Sequence, residues 1–89
     1  MSERLSEMVK LMAYTSRGDL ASFEKLYSVT SPRLYGLCLR MLGNRDEAQD
    51  VLQEIYIKVW HHAGEYHPER GSPVTWMISI GRYACMDVL

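Results

Sequence analysis

The chain has 89 residues, of which 47% are apolar and 24% charged, with a formal net charge of −1. That length supports one domain with a single modest core, and the composition excludes a disordered chain. No apolar run approaches the roughly 20 residues of a membrane span, and the charged start MSERLSEMVK lacks the apolar centre of a signal peptide, so the cytoplasm is the expected compartment. Charge is unevenly spread: seven Lys or Arg against four acids in residues 1–45 (+3), and three against seven in residues 46–89 (−4). A domain that wraps duplex DNA unaided carries a strong positive excess. Any nucleic-acid contact here is therefore local, or shared with a partner that supplies phosphate binding.

No repeat and no period-2 alternation suggests a sheet. The expected fold is all-α, a compact bundle of about four to five helices in a single domain spanning 1–89. Leu5, Met8 and Met12, with Val9 as an optional fourth member, form the stripe of an N-terminal helix within 1–17 that ends near SRGD. Helices follow in 19–43. Asp19 can cap the first, which carries Leu20, Phe23, Leu26 and Tyr27 at helical spacing. Ser31 and Pro32 then read as an N-cap and first helical residue. Leu34, Leu37, Cys38 and Met41 line the restarted helix as far as Gly43, a C-terminal stop.

Asn44 followed three residues later by Glu47 is a variant of the capping box, and it opens the longest helix, 45–63. Asp46, Glu47 and Asp50 lie near its start and Lys58, His61 and His62 near its end, an order that complements the helix dipole. Ala48, Val51 or Leu52, Ile55, Val59 and Ala63 form its core stripe. Gln49, Gln53, Tyr56, Ile57 and Trp60 occupy another sector, flanked by Asp50 and Glu54. That second sector reads in two ways: as aromatics packed under a neighbouring helix, or as a docking face with anchors ringed by polar groups and suited to a basic partner.

GEYHPERG falls in a loop, 64–72, bounded by glycines and holding Pro68. Ser72 and Pro73 repeat the cap-then-proline signal and start the last helix, 73–89. Val74, Met77, Ile78, Gly81 and Cys85 face inward there, while Trp76, Ile80, Tyr83 and Asp87 form a second stripe. Trp76 and Tyr83, beside Arg70 and Arg82, are suited to stacking unpaired bases; the competing assignment puts Trp76 in the core beside Trp60 and Tyr83 on an amphipathic surface. No helix stop precedes Leu89, so the last helix reads as truncated and the chain as a domain cut from a longer protein.

Cys38 and Cys85 sit in apolar helical settings and read as small core residues, with a redox pair or metal role as the alternative. His61, His62 and His67 lack the spacing and companion ligands of a metal centre. No catalytic constellation and no cofactor motif is present.

Three blocks in order, RGDLASFEKLY, PRLYGLCLRMLGNRDEAQDVLQEIYIKVW and SPVTWMISIGRYACMDVL, resemble region 2 of bacterial extracytoplasmic-function (ECF) sigma factors of the sigma-70 family, over roughly residues 15–89. The resemblance implies a promoter-specificity subunit of RNA polymerase, a binding module and not an enzyme. Helix 45–63 would dock on the clamp coiled coil of the polymerase's largest subunit, with Asp50, Gln53 and Glu54 facing arginines and Tyr56, Ile57 and Trp60 nearby. The loop and the start of the last helix would engage the promoter −10 element and capture a flipped non-template base. His67, Arg70, Ser72, Trp76, Arg82 and Tyr83 are the residues the resemblance assigns to that work.

Family members are commonly held inactive by an anti-sigma factor, so a protein partner of that kind is also implied. The chain departs from the family at Gly81-Arg82-Tyr83, where Ala-Arg-Asn is usual, and it contains no second, −35-reading domain. Two other classes compete. A helical interaction domain would bind its partner protein without opening DNA. A small helical enzyme would need an oriented titratable group, for which only Asp87 or the His61–His62 pair is available.

Overall fold

The computed structural model describes residues 3–89 and is built from four α-helices. They are α1 (Glu3–Ser16), α2 (Leu20–Leu42), α3 (Arg45–His62) and α4 (Pro73–Val88). Two one-turn 3-10 segments, Ala63–Glu65 and Pro68–Arg70, lie between α3 and α4. Met1 and Ser2, the first residues of the expected N-terminal helix, lie outside the described residues. No strand occurs among the described residues.

In α1, Met8, Met12 and Thr15 are buried, and the helix packs on α2 and on the 63–65 turn. Thr15 satisfies its hydroxyl by donating to the Leu11 carbonyl at 2.7 Å. Gly18, at φ 88°, then reverses the chain into α2. Asp19 holds the N-cap position, but its carboxylate accepts from the Ser22 hydroxyl at 2.5 Å and makes no bond to the backbone.

The expected restart at Ser31 and Pro32 is corrected by the structure: α2 is one helix and Pro32 lies inside it. An interior proline removes one backbone hydrogen bond and costs about 3 kcal/mol. Against that stands an unbroken buried stripe across the proline, Leu26, Thr30, Leu34, Leu37 and Cys38. Each large apolar side chain so buried contributes roughly 1.5–3 kcal/mol, so packing outweighs the local stop signal. Pro32 itself points to solvent. The helix ends where Gly43 takes a left-handed φ of 67° and donates its N–H to the Leu39 carbonyl.

Asn44 caps α3 by accepting the Glu47 N–H at 3.0 Å. Ala48, Val51, Leu52, Ile55, Val59 and Ala63 are all buried, so Val51 and Leu52 both belong to the core. At the other cap, the Ser72 hydroxyl accepts the Thr75 N–H at 3.2 Å and Pro73 begins α4. Met77, Gly81, Ala84 and Cys85 face inward, with Val74 and Ile78 half-buried. Cys38 of α2 and Cys85 of α4 are free, fully buried thiols that neighbour each other in the core.

Candidate functional site

Two of the recesses on the bundle hold the residues singled out by the sequence, one between α2 and α3 and one where the α3–α4 connection meets α4. The larger is an apolar groove of about 450 Å³ between α2 and α3. From α3 come Gln53, Tyr56, Ile57, Trp60 and His61, which are neighbours at helical spacing along one stripe. From α2 come Leu20, Phe23 and Tyr27. Phe23 meets Trp60 edge-on with ring centroids 5.1 Å apart, and Tyr56 lies in the same manner 4.6 Å from Tyr27 and 6.2 Å from Phe23.

The groove separates the three aromatic and aliphatic candidates of α3 that the spacing left open. Tyr56 is only 4% exposed and its hydroxyl is bonded to Thr30, so it is floor and core. Trp60 is half-buried as a wall, and Ile57 is 58% exposed at the rim. Asp50, Gln53 and Glu54 all face solvent, as does Glu24 on α2. Sequence reasoning placed Leu20 and Tyr27 on the stripe of α2 without a role; they are 57% and 43% exposed and supply the second bank of the groove. Their spacing matches that of a core stripe, so only the packing of α2 on α3 reveals them.

The smaller recess, about 180 Å³, lies where the connection meets α4 and includes His67, Arg70, Ser72 and Trp76. Four of the six residues assigned to DNA thus share one hollow, completed by Glu65, Tyr66, Gly71, Thr75 and Ser79. Arg82 and Tyr83 do not line it. They stand one turn further along α4, with Tyr83 69% exposed. From Thr75 through Ser79 to Arg82 and Tyr83 the spacing is that of one helical face, so the hollow continues as an exposed strip. Trp76 does not pack beside Trp60; its ring contact is edge-on with Tyr66, centroids 5.9 Å apart.

The Ser72 oxygen is occupied by the cap and lies 3.0 Å from the Thr75 hydroxyl. Arg70 is exposed and supplies positive charge at the mouth, while His67 is 3.9 Å from Glu69. Tyr66 was not singled out by the sequence. Its phenol donates to the Gly71 carbonyl at 2.7 Å, and burial, followed by the nearby Glu69 charge, pushes its pKa upward. A hydrogen bond inside a loop leaves no periodic signal that could have announced it.

The histidines do not converge. His61 borders the apolar groove, His62 pairs with Glu65, and His67 belongs to the second hollow. Among the described residues no three His, Cys, Asp or Glu side chains form a metal-binding group, and no helix is long and apolar enough to cross a membrane.

Residues 26–89 match the family described as Sigma-70 region 2. The chain is 32% identical over 77 residues, 86% of its length, to the ECF RNA polymerase sigma factor SigK of Mycobacterium sp. (strain KMS). Proteins of the same name from Mycobacterium ulcerans (strain Agy99) and Mycobacterium tuberculosis (strain ATCC 25177 / H37Ra) are 31% identical over 84 residues and 30% over 82. Those matches cover 94% and 92% of this chain. They cover only 40%, 45% and 44% of the three relatives, so the chain spans less than half the length of the curated proteins it matches.

Proposed function

The chain belongs to the sigma-70 region 2 family, as a domain of the extracytoplasmic-function type, and from that membership we propose that it docks on RNA polymerase through α3 and reads the −10 promoter element through the connection to α4. The observation that carries the reading is the apolar groove beside the Asp50–Gln53–Glu54 edge. Ile57, Leu20 and Tyr27 stand open to solvent there around a Trp60–Phe23 wall. Contiguous exposed apolar surface rimmed by acids suits a protein partner that offers both apolar side chains and arginines. The clamp coiled coil of the polymerase's largest subunit is that partner. An anti-sigma factor that silences the protein would compete for the same groove.

The second hollow supports the DNA half of the reading. Trp76 offers an aromatic surface and Arg70 a cation at a recess of one-base scale, which fits an unstacked base on a single strand. Duplex binding by this chain alone would be weak at its net charge of −1, so the polymerase supplies most phosphate contacts. The role is one of binding in the cytoplasm, with no bond made or broken by these residues.

A pull-down with the isolated clamp coiled coil tests the docking face. Asp50→Ala with Glu54→Ala changes two solvent-facing side chains, so the fold is retained while capture falls; undiminished capture rejects the assignment. Loss of single-stranded −10 DNA binding by Arg70→Ala and Trp76→Ala in the polymerase complex tests the second hollow.

A further inference from the structure

The wall of the second hollow is a connection that ought to be loose. Residues 66–72 run from the 63–65 turn to α4 with one further 3-10 turn, Pro68–Arg70, and every one of residues 67–71 is exposed. Gly71 adopts φ 139° and ψ −178°, a conformation that glycine alone takes without strain. It is therefore the joint at which this segment has the most freedom, and it stands between Arg70 and the Ser72 cap.

Tyr66 crosses that joint. Its hydroxyl donates to the Gly71 carbonyl at 2.7 Å, its ring meets Trp76 with planes at 62°, and its own N–H bonds to the Ala63 carbonyl at 3.2 Å. One residue thus links the 63–65 turn through its backbone, and the Gly71 carbonyl and the first turn of α4 through its side chain. Because a peptide unit is planar, fixing the Gly71 carbonyl also fixes the plane from which Ser72 enters α4. The Gly71 N–H is bonded in turn to the Pro68 carbonyl at 3.3 Å, so both faces of the glycine are held.

We propose that Tyr66 is a positioning residue that holds the 67–71 segment in its base-accepting shape before DNA arrives, so that recognition uses a pre-formed hollow. The proposal rests on the −10-binding reading given above. A loop ordered in advance does not lose its backbone freedom at the moment of binding, and affinity rises accordingly. Tyr66→Phe is the informative variant, since it removes the strut and keeps the ring against Trp76. The net worth of one such hydrogen bond corresponds to a roughly three- to tenfold loss of DNA affinity.

Two measurements on the full chain test this. Hydrogen exchange of the free protein reports on the segment without any DNA. The Arg70 and Gly71 amides, bonded to the His67 and Pro68 carbonyls, should exchange several-fold faster in Tyr66→Phe, while those of α3 and the thermal midpoint stay as in the unmodified protein. The polymerase-bound protein is then given a labelled pool of short single strands with a randomised centre, and the bound fraction is sequenced. Tyr66→Phe should lower affinity, flatten base preference at one position, and leave polymerase binding unaltered.

Unchanged exchange in Tyr66→Phe overturns the proposal whatever happens to DNA. Faster exchange with undiminished affinity and preference also overturns it, provided Arg70→Ala loses binding, because the hollow is then the DNA site but needs no strut. If Arg70→Ala binds the pool normally as well, the −10 reading fails and the proposal falls with it.

Discussion

The hydroxyls of Thr30 and Tyr56 meet at 2.5 Å inside the core and tie α2 to α3 across 26 residues of sequence. Thr30 also reaches the Leu26 carbonyl at 2.7 Å. A threonine has one proton to give, so it donates to Leu26 and accepts from Tyr56. This bond holds the floor of the groove against its α2 bank, next to the helix turn that Pro32 weakens.

The direction of that bond makes the two partners unequal. Tyr56→Phe removes the donor and leaves Thr30 its bond to Leu26, a cost of about 1 kcal/mol. Thr30→Val strands a buried phenol proton and should cost about 1–3 kcal/mol. Urea denaturation of both variants and of the double variant measures this. The double should lie close to Tyr56→Phe alone; equal single costs that simply add contradict the arrangement. Polymerase binding should survive Tyr56→Phe, because the ring that lines the groove remains.

Alkaline pH attacks the same region. Burial is the main cause that pushes Tyr56 from 10.0 up to about 12, and contact with the Thr30 hydroxyl offsets only part of it. Burial, followed by the adjacent Cys85 thiol, pushes Cys38 from 9.0 up to about 12. A folded-state pKa above the unfolded one means that the native state keeps its proton longer. The stability so conferred is complete below the unfolded pKa and is lost as pH rises through the folded one. The urea midpoint should therefore be flat to about pH 9 and then fall, by at most about 1.4 kcal/mol per pH unit for each group. Cys38→Ala should delay the onset of that fall from about pH 9 to about pH 10, the ordinary tyrosine range. An onset unmoved by Cys38→Ala would show that the Cys38 thiol does not contribute.

Local signals were legible in the sequence and long-range ones were not. Asn44 and Ser72 announce α3 and α4 because a cap is settled within one turn. Ser31 and Pro32 give the same kind of signal, yet the stripe from Leu26 to Cys38 overrides it, and the strength of that stripe depends on α3 and α4. The same dependence hides the groove. Tyr56 and Ile57 are adjacent in sequence and both look apolar, but one ends as floor and the other as rim according to where Phe23 and Tyr27 land. Arg70 and Trp76 could be picked out as candidates from residue type and family resemblance, whereas the Tyr66 strut depends on loop geometry that no periodicity encodes.

Gly81 sets how closely α4 sits on the bundle. A Cβ built there lies 3.2 Å from Leu37 Cδ2 and 3.3 Å from Ile55 Cδ1, with Leu34 Cδ2 at 3.7 Å. Alanine should therefore be nearly neutral: it gains about 1 kcal/mol of helix propensity and loses a similar amount as two flexible side-chain ends give way. Valine has no such balance, because its two further methyl groups enter the same closed gap and overpacking costs about 1–3 kcal/mol. Urea denaturation should place Gly81→Ala within about 1 kcal/mol of the unmodified chain and Gly81→Val about 1–3 kcal/mol below it. Valine tolerated without loss would mean that α4 moves outward at no cost. In that case the variant should still bind polymerase through the groove, but with Trp76, Arg82 and Tyr83 displaced together, since all three ride on the helix that Gly81 seats.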